Sequence, residues 1–140
     1  MSDQIFVYGT LMEGYRNFDK YLQGHVLKIE KATVKGKLYD MPYLDFPALL
    51  EGNDTVHGEV ITVDNFSKLQ KDIDAMEGYK GNDDDMYKRI PKTVFLESGE
   101  EIILDVYQYH AYSFDPQFKT EACYIPEGSW RAFNKKLGRD

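Results

Sequence analysis

Val56-His57-Gly58-Glu59-Val60-Ile61-Thr62-Val63-Asp64-Asn65-Phe66-Ser67-Lys68-Leu69-Gln70-Lys71-Asp72-Ile73-Asp74-Ala75-Met76-Glu77 runs from a strand into a helix. Val56 to Val63 reads as a clear strand, and Asp64 or Asn65 is placed to cap the helix that follows. At about 100° per residue, Phe66, Leu69, Ile73 and Met76 form one apolar stripe. Lys68, Lys71, Asp72 and Asp74 lie off that stripe, as solvent-facing charges should. Glu77 does not, because it follows Ile73 by four positions and falls on the apolar face. A carboxylate pointing inward loses hydration unless it is paired, and the loss raises its pKa. The C-terminal end of a helix also disfavours negative charge. Both effects move a Glu toward the near-neutral pKa that a general acid or base needs. The alternative is a frayed last turn, with Gly78 as the C-cap and Glu77 swung into water.

The flanking sequence supplies further strands. Ile5 to Tyr8 is a short apolar run stopped by Gly9, Ala32 to Tyr39 alternates, and Lys88 to Leu96 meets Ile102 to Tyr109 across a Ser98-Gly99 hairpin signal. Thr10 to Gly14 reads as a loop and Arg16 to Leu22 as a short helix. Asp40 to Asn53 holds Pro42, Pro47 and Gly52, so it reads as irregular, with one short strand around Ala48-Leu49-Leu50. The tail, after Pro126, Gly128 and Trp130, ends in a short basic helical segment. Many strands with few helices predict an α+β fold around a strongly bent mixed sheet or small β-barrel flanked by helices. The 140 residues contain neither a repeat nor a composition break, which predicts a single domain over 1–140.

Composition excludes several classes of function. Lys and Arg number 17 against 24 Asp and Glu, a net charge of −7 with no basic cluster, so no nucleic-acid partner is expected. Apolar runs such as Ile102-Ile103-Leu104 are too short to span a membrane. Met1 to Gln4 leads directly into a strand, leaving no room for a signal peptide. Cys123 is alone, which excludes an internal disulfide and fits a reducing, cytoplasmic setting. Nothing in the sequence fixes an oligomeric state.

The chemistry-bearing residues narrow the field. His25, His57 and His110 are scattered, and Asp83-Asp84-Asp85 lacks the ligand spacing of a calcium loop, so neither a metal nor a cofactor is expected. Gly9 and Gly14 have P-loop spacing, yet Tyr15-Arg16 stands where Lys-Ser/Thr is required. A Gly-containing loop after a strand can still aim backbone N–H groups at one anionic point, a carboxylate or an oxyanion. An ordinary tight turn is the competing reading. Tyr87 and Arg89 share one face of their strand and could present a phenol and a guanidinium to a ligand. Pairing with surface acids would explain them equally well.

Taken in chain order, these residues resemble a known family. Phe6-Val7-Tyr8-Gly9-Thr10-Leu11, followed by Gly14 and Asn17, resembles the opening of the γ-glutamylcyclotransferase-like family, which includes γ-glutamylamine cyclotransferases and AIG2-like proteins. Gly36-x-Leu38-Tyr39, Phe46-Pro47-Ala48 and Val56-x-Gly58-Glu59-Val60 resemble its next blocks. Asp74-x-x-Glu77-Gly78 and Tyr87-x-Arg89 resemble the segment with its catalytic glutamate. The agreement runs from about residue 5 to residue 110. The resemblance implies a mixed β-barrel flanked by helices, with Glu77 as general acid/base. It implies that Tyr8, Gly9, Thr10 and Leu11 bind substrate through their backbone, and it marks Tyr87 and Arg89 as a recurring pair. The departure from the family pattern is Lys80 to Met86, an acidic stretch that would alter substrate preference if it overhangs the pocket.

The implied substrate is a small γ-glutamyl amide that supplies its own nucleophile. Its α-amine attacks the γ-carbonyl, closing 5-oxoproline and expelling an amine, so no catalytic Ser or Cys is needed. Holding the substrate folded can supply about 7–11 kcal/mol, and one carboxylate moving the proton adds roughly 10²–10⁴-fold. The other class of function is a non-catalytic binding or regulatory module that keeps the pocket without turnover. The position of Glu77 favours the enzyme, because a pure binder has less reason to bear the desolvation.

Overall fold

The computed structural model describes residues 3–81, 85–110 and 115–139. Two long strands form its spine: β2 (Val26–Met41) and β3 (Phe46–Val63) run antiparallel, and β1 (Gln4–Val7) lies on the other side of β3 with Phe6 opposite Val60. On the far side of β2, β4 (Tyr87–Leu96) pairs at Ala32 and Thr33, and β5 (Glu101–Tyr109) pairs along β4. A short β6 (Cys123–Ile125) adds to β2 opposite Leu38, Tyr39 and Asp40. The path is β1-β3-β2-β4-β5, giving an α+β fold with a six-stranded sheet and a few helices.

Two expectations about the sheet need correction. Every strand pairing among the described residues is antiparallel, so the sheet is not mixed. Nor is it a closed barrel: β1 and β5 bring Cα atoms within 8 Å but form no hydrogen-bonded ladder. Closure requires a consistent stagger around the whole sheet. Here β4 meets β2 through only two residue pairs, and the sheet splays at that seam.

The segment expected to be irregular, Asp40 to Asn53, is so only at the turn over residues 42–45. Asp40 and Met41 end β2, and from Phe46 onward it is the first half of β3, with the expected strand around Ala48-Leu49-Leu50 inside it. Pairing steps from Gly36 opposite Asp54 to Lys37 opposite Leu50, so the residues between Leu50 and Asp54 form a bulge. One long strand therefore looks like two in sequence, with Gly52 at the interruption and Pro47 still in register opposite Asp40.

Helix α1 (Phe66–Glu77) follows as expected, with Leu69 and Ile73 buried and Phe66 and Met76 packed against the core. Of the two candidates for its N-cap, Asn65 holds the position, at φ 50° without a side-chain bond to the helix, and Asp64 pairs instead with His25 Nδ1 at 2.7 Å. A π-helical turn, Phe18–Leu22, lies within the span read as a short helix.

Beyond β5 comes α2 (Pro116–Glu121), which pattern reading missed although Asp115-Pro116 announces it. The Asp115 side chain accepts from the N–H of Gln117, and proline stands at the helix start. The basic tail forms α3 (Trp130–Lys136), capped by Ser129. Trp130 Nε1 and an Arg139 amino group both donate to buried Asp40 Oδ1, at 3.1 and 2.8 Å, tying the tail to β2. No helix among the described residues is long and apolar enough to cross a membrane.

Candidate active site

The site begins where β1 ends. Gly9 packs so closely on β3 that an added Cβ would lie 2.6 Å from Pro47 Cγ and 2.8 Å from Pro47 Cδ. Gly9 is not among the positive-φ residues, so close approach, and not a left-handed backbone, explains why glycine stands there. The loop after it spends its acceptors internally. The Gly9 carbonyl accepts from the N–H of Met12 at 3.0 Å, and the Thr10 carbonyl accepts from the N–H groups of Asn17 and Phe18, each at 3.1 Å. Buried Asn17 also donates through Nδ2 to Thr10 Oγ1 at 2.7 Å. Among the described residues, no acceptor is bonded to the N–H groups of Gly9, Thr10 and Leu11. A run of free backbone donors on a cavity wall suits an anion.

Glu77 lies across the cavity from that loop. Gly78, at φ 71°, terminates α1 with its N–H on the Ala75 carbonyl and the N–H of Tyr79 on the Asp74 carbonyl. The C-cap reading of Gly78 was therefore right, yet the last turn does not fray and Glu77 does not swing away. Tyr8, Gly9, Thr10, Leu11, Glu77 and Tyr87 line one small cavity that opens to solvent. Residues some seventy positions apart thus converge, as the inward phase of Glu77 requires.

Burial, and after it repulsion from the Asp74 carboxylate, push the Glu77 carboxyl up to about 8 from an ordinary 4.5. No hydrogen bond among the described residues offsets these causes. The phenols around it cannot serve as bases. Tyr8 and Tyr87 are held well above their ordinary range, first by burial and then by neighbouring charge. Glu77 is thus the group that can exchange a proton near neutral pH.

Two further residues belong to this site. Tyr107, from β5, lines the cavity and donates its hydroxyl to Asp74 Oδ1. Asp74 stands one turn before Glu77 and is ion-paired with Arg89 Nε at 3.4 Å. Sequence reading placed Asp74 among solvent-facing charges and did not single out Tyr107. The signal was the strand pairing itself, since Tyr107 lies opposite Arg89 as Tyr109 lies opposite Tyr87.

Arg89 departs from Tyr87. It is not among the cavity-lining residues, and it pairs with Asp74 and Asp105 while its guanidinium lies 5.0 Å from the Tyr79 ring centre. It therefore supports the site from behind. Asp85 anchors one end of the acidic stretch by accepting from the N–H groups of Lys80 and Gly81 at 2.8 Å each. Asn82, Asp83 and Asp84 lie outside the described residues.

The Glu77 environment has a measurable consequence for stability. Its native pKa exceeds that of the unfolded chain, so between about pH 5 and about pH 8 the native state holds a proton that the unfolded state releases. That contribution is complete below the unfolded pKa and is lost as pH rises through the native one. One pKa unit corresponds to about 1.4 kcal/mol, and solvent at the cavity mouth discounts the full shift. Glu77→Gln should stabilise the fold by roughly 1–3 kcal/mol at the alkaline end and by little near pH 5. Urea unfolding of both proteins across this range checks it, and a pH-independent difference would contradict a buried, uncompensated carboxyl.

Comparison with known proteins gives a consistent picture. A family model described as gamma-glutamyl cyclotransferase, AIG2-like, matches residues 5–132. A protein of Methanocaldococcus jannaschii, named as a provisional gamma-glutamylcyclotransferase, is 36% identical over 109 residues, covering 76% of this chain and 84% of that protein. The gamma-L-glutamyl-butirosin B gamma-glutamyl cyclotransferase of Niallia circulans is 39% identical over 100 residues, covering 70% of this chain and 62% of the relative, less than two thirds of its length. Among solved structures, an AIG2-like protein from Mus musculus superposes with a TM-score of 0.69 at 26% identity, covering 91% of this chain and 87% of the other.

Proposed function

Since the chain belongs to the gamma-glutamyl cyclotransferase, AIG2-like family, we propose that it cleaves a small γ-glutamyl amide by cyclisation, releasing 5-oxoproline and a free amine. The observation that carries this reading is the shared cavity, in which a carboxyl of pKa about 8 faces a loop with free backbone N–H groups. In this reading the loop holds the substrate carboxylate or the developing oxyanion and keeps the chain folded back on itself. The ionised Glu77 takes a proton from the α-ammonium. The amine nitrogen then bonds to the γ-carbonyl carbon, and Glu77 returns the proton to the departing amine as the bond between that carbon and the departing nitrogen breaks. The ring nitrogen gives up its second proton to the re-ionised Glu77, which passes it to solvent as the lactam forms. A single carboxyl serves these transfers because a pKa of about 8 lets it accept and return a proton near neutral pH.

The exposed thiol of Cys123 fits a reducing compartment, and the cytoplasm is the proposed setting. The test is incubation of the protein with a panel of γ-glutamyl amines and γ-glutamyl amino acids, with chromatographic detection of products. The expected result is equal release of 5-oxoproline and amine from at least one member. Binding without release across the panel would favour the non-catalytic module.

A further inference from the structure

Tyr107 stands in the cavity wall with its hydroxyl hydrogen already committed to Asp74. A phenol carries one donor hydrogen and two lone pairs, whereas an ionised carboxylate only accepts. The Tyr107 hydroxyl is bonded to Asp74 Oδ1, so its proton points away toward Asp74. Arg89 Nε lies 3.4 Å from the same oxygen, so the Asp74 side chain is held between the phenol and the guanidinium. Tyr107 is thereby left with lone pairs and no hydrogen for a ligand.

Tyr87 repeats the pattern, since its hydroxyl donates to the Pro47 carbonyl at 2.7 Å, another group that can only accept. Both phenols line the cavity with Glu77, and among the described residues no Lys, Arg or His lines it. On this wall the two phenols offer acceptors, while the Gly9 to Leu11 backbone offers N–H donors and the Gly9 and Thr10 carbonyls are already engaged. The two halves match an α-amino acid, with its carboxylate on the loop and its ammonium on the phenols.

We propose that the Tyr107 and Tyr87 oxygens, with Glu77, form a subsite for the α-ammonium of the substrate, and that Asp74 and Arg89 are positioning residues that lock Tyr107 as an acceptor. The proposal rests on the cyclotransferase reading and deepens it, because it explains how the attacking nitrogen is recognised before it loses its proton. It also assigns Arg89 a task that does not require ligand contact.

The test compares two probes, γ-L-glutamyl methylamide and glutaric acid monomethylamide, which differ only in the α-amino group. Their dissociation constants are measured by calorimetry for the full chain in the Glu77→Gln background, where turnover is suppressed, the amide oxygen still accepts, and the phenol oxygens carry the preference that is read. The proposal expects the amine-bearing probe to bind more tightly than its desamino counterpart. Tyr107→Phe removes one oxygen and should cut that preference about tenfold while leaving the desamino probe within about twofold. Asp74→Leu should also reduce the preference, because the Tyr107 hydroxyl is then free to turn its hydrogen into the cavity. Asp74→Asn keeps an acceptor oxygen and should retain more of the preference than Asp74→Leu. Equal weakening of both probes, no change in the ratio, or no initial preference would overturn the proposal. If the native protein releases 5-oxoproline but Tyr107→Phe leaves the ratio intact, the cyclotransferase reading stands and the ammonium subsite falls. If the ratio collapses and the native protein releases no 5-oxoproline, the subsite stands and the cyclotransferase reading falls.

Discussion

Glu77→Gln should lower the turnover of any γ-glutamyl amide by at least about 10²-fold while leaving a folded protein. The amide is nearly isosteric with the acid, so the end of α1 and its Gly78 cap have no steric reason to move. What disappears is the capacity to accept the α-ammonium proton and to return it to the leaving amine. Substrate affinity should fall much less, because the backbone N–H groups of the loop and the phenols remain. A large fall in kcat beside a small change in binding is the pattern of a proton-transfer residue. The native kcat/KM should also rise with pH through about 8, where Glu77 ionises in the free protein, and the residual activity of the variant should lack that step. A folded variant that works at the native rate would remove Glu77 from the chemistry.

The second large effect is expected at Gly9, through contact alone. A Cβ there would meet Pro47 at 2.6 Å, and Pro47 cannot yield freely because it lies within β3 and its carbonyl accepts the Tyr87 hydroxyl. Gly9→Val should therefore push the loop off the sheet and misalign the donors at Gly9, Thr10 and Leu11. Overpacking of this kind costs about 1–3 kcal/mol in stability. Affinity for a γ-glutamyl ligand should fall by about 10²-fold, the scale of losing two hydrogen bonds to a charged group. Thr10→Ser keeps the hydroxyl that accepts from Asn17 and should stay within a few-fold of native. Ligand titration of both variants, with folding verified by circular dichroism, separates the effects. Equal losses in the two would argue against a backbone cradle.

Much of the site was legible in the sequence because periodicity reports direction. The stripe through Leu69 and Ile73 predicted that Glu77 faces inward, and it lines the cavity. The pairing of Tyr87 with Arg89 was legible only as a shared strand face. That face divides at the end of α1, where Tyr87 enters the cavity and Arg89 meets Asp74. Asp74 looked like a surface charge because helical phase carries no information about which strand packs alongside. Tyr107 escaped for the same reason, since its partner lies on another element and its role comes from tertiary pairing. The β3 bulge likewise hid one strand as two, and sheet closure depends on a stagger that no local pattern encodes.

In the proposed reaction the substrate's own amine, and not water, attacks the γ-carbonyl. Turnover of a γ-glutamyl amide in water enriched with heavy oxygen tests it most directly, with the products weighed by mass spectrometry. Intramolecular attack brings no solvent oxygen into the product, so the account predicts unlabelled 5-oxoproline released in equal amount with the amine. Glutamate carrying heavy oxygen would show that water attacked, and would contradict it.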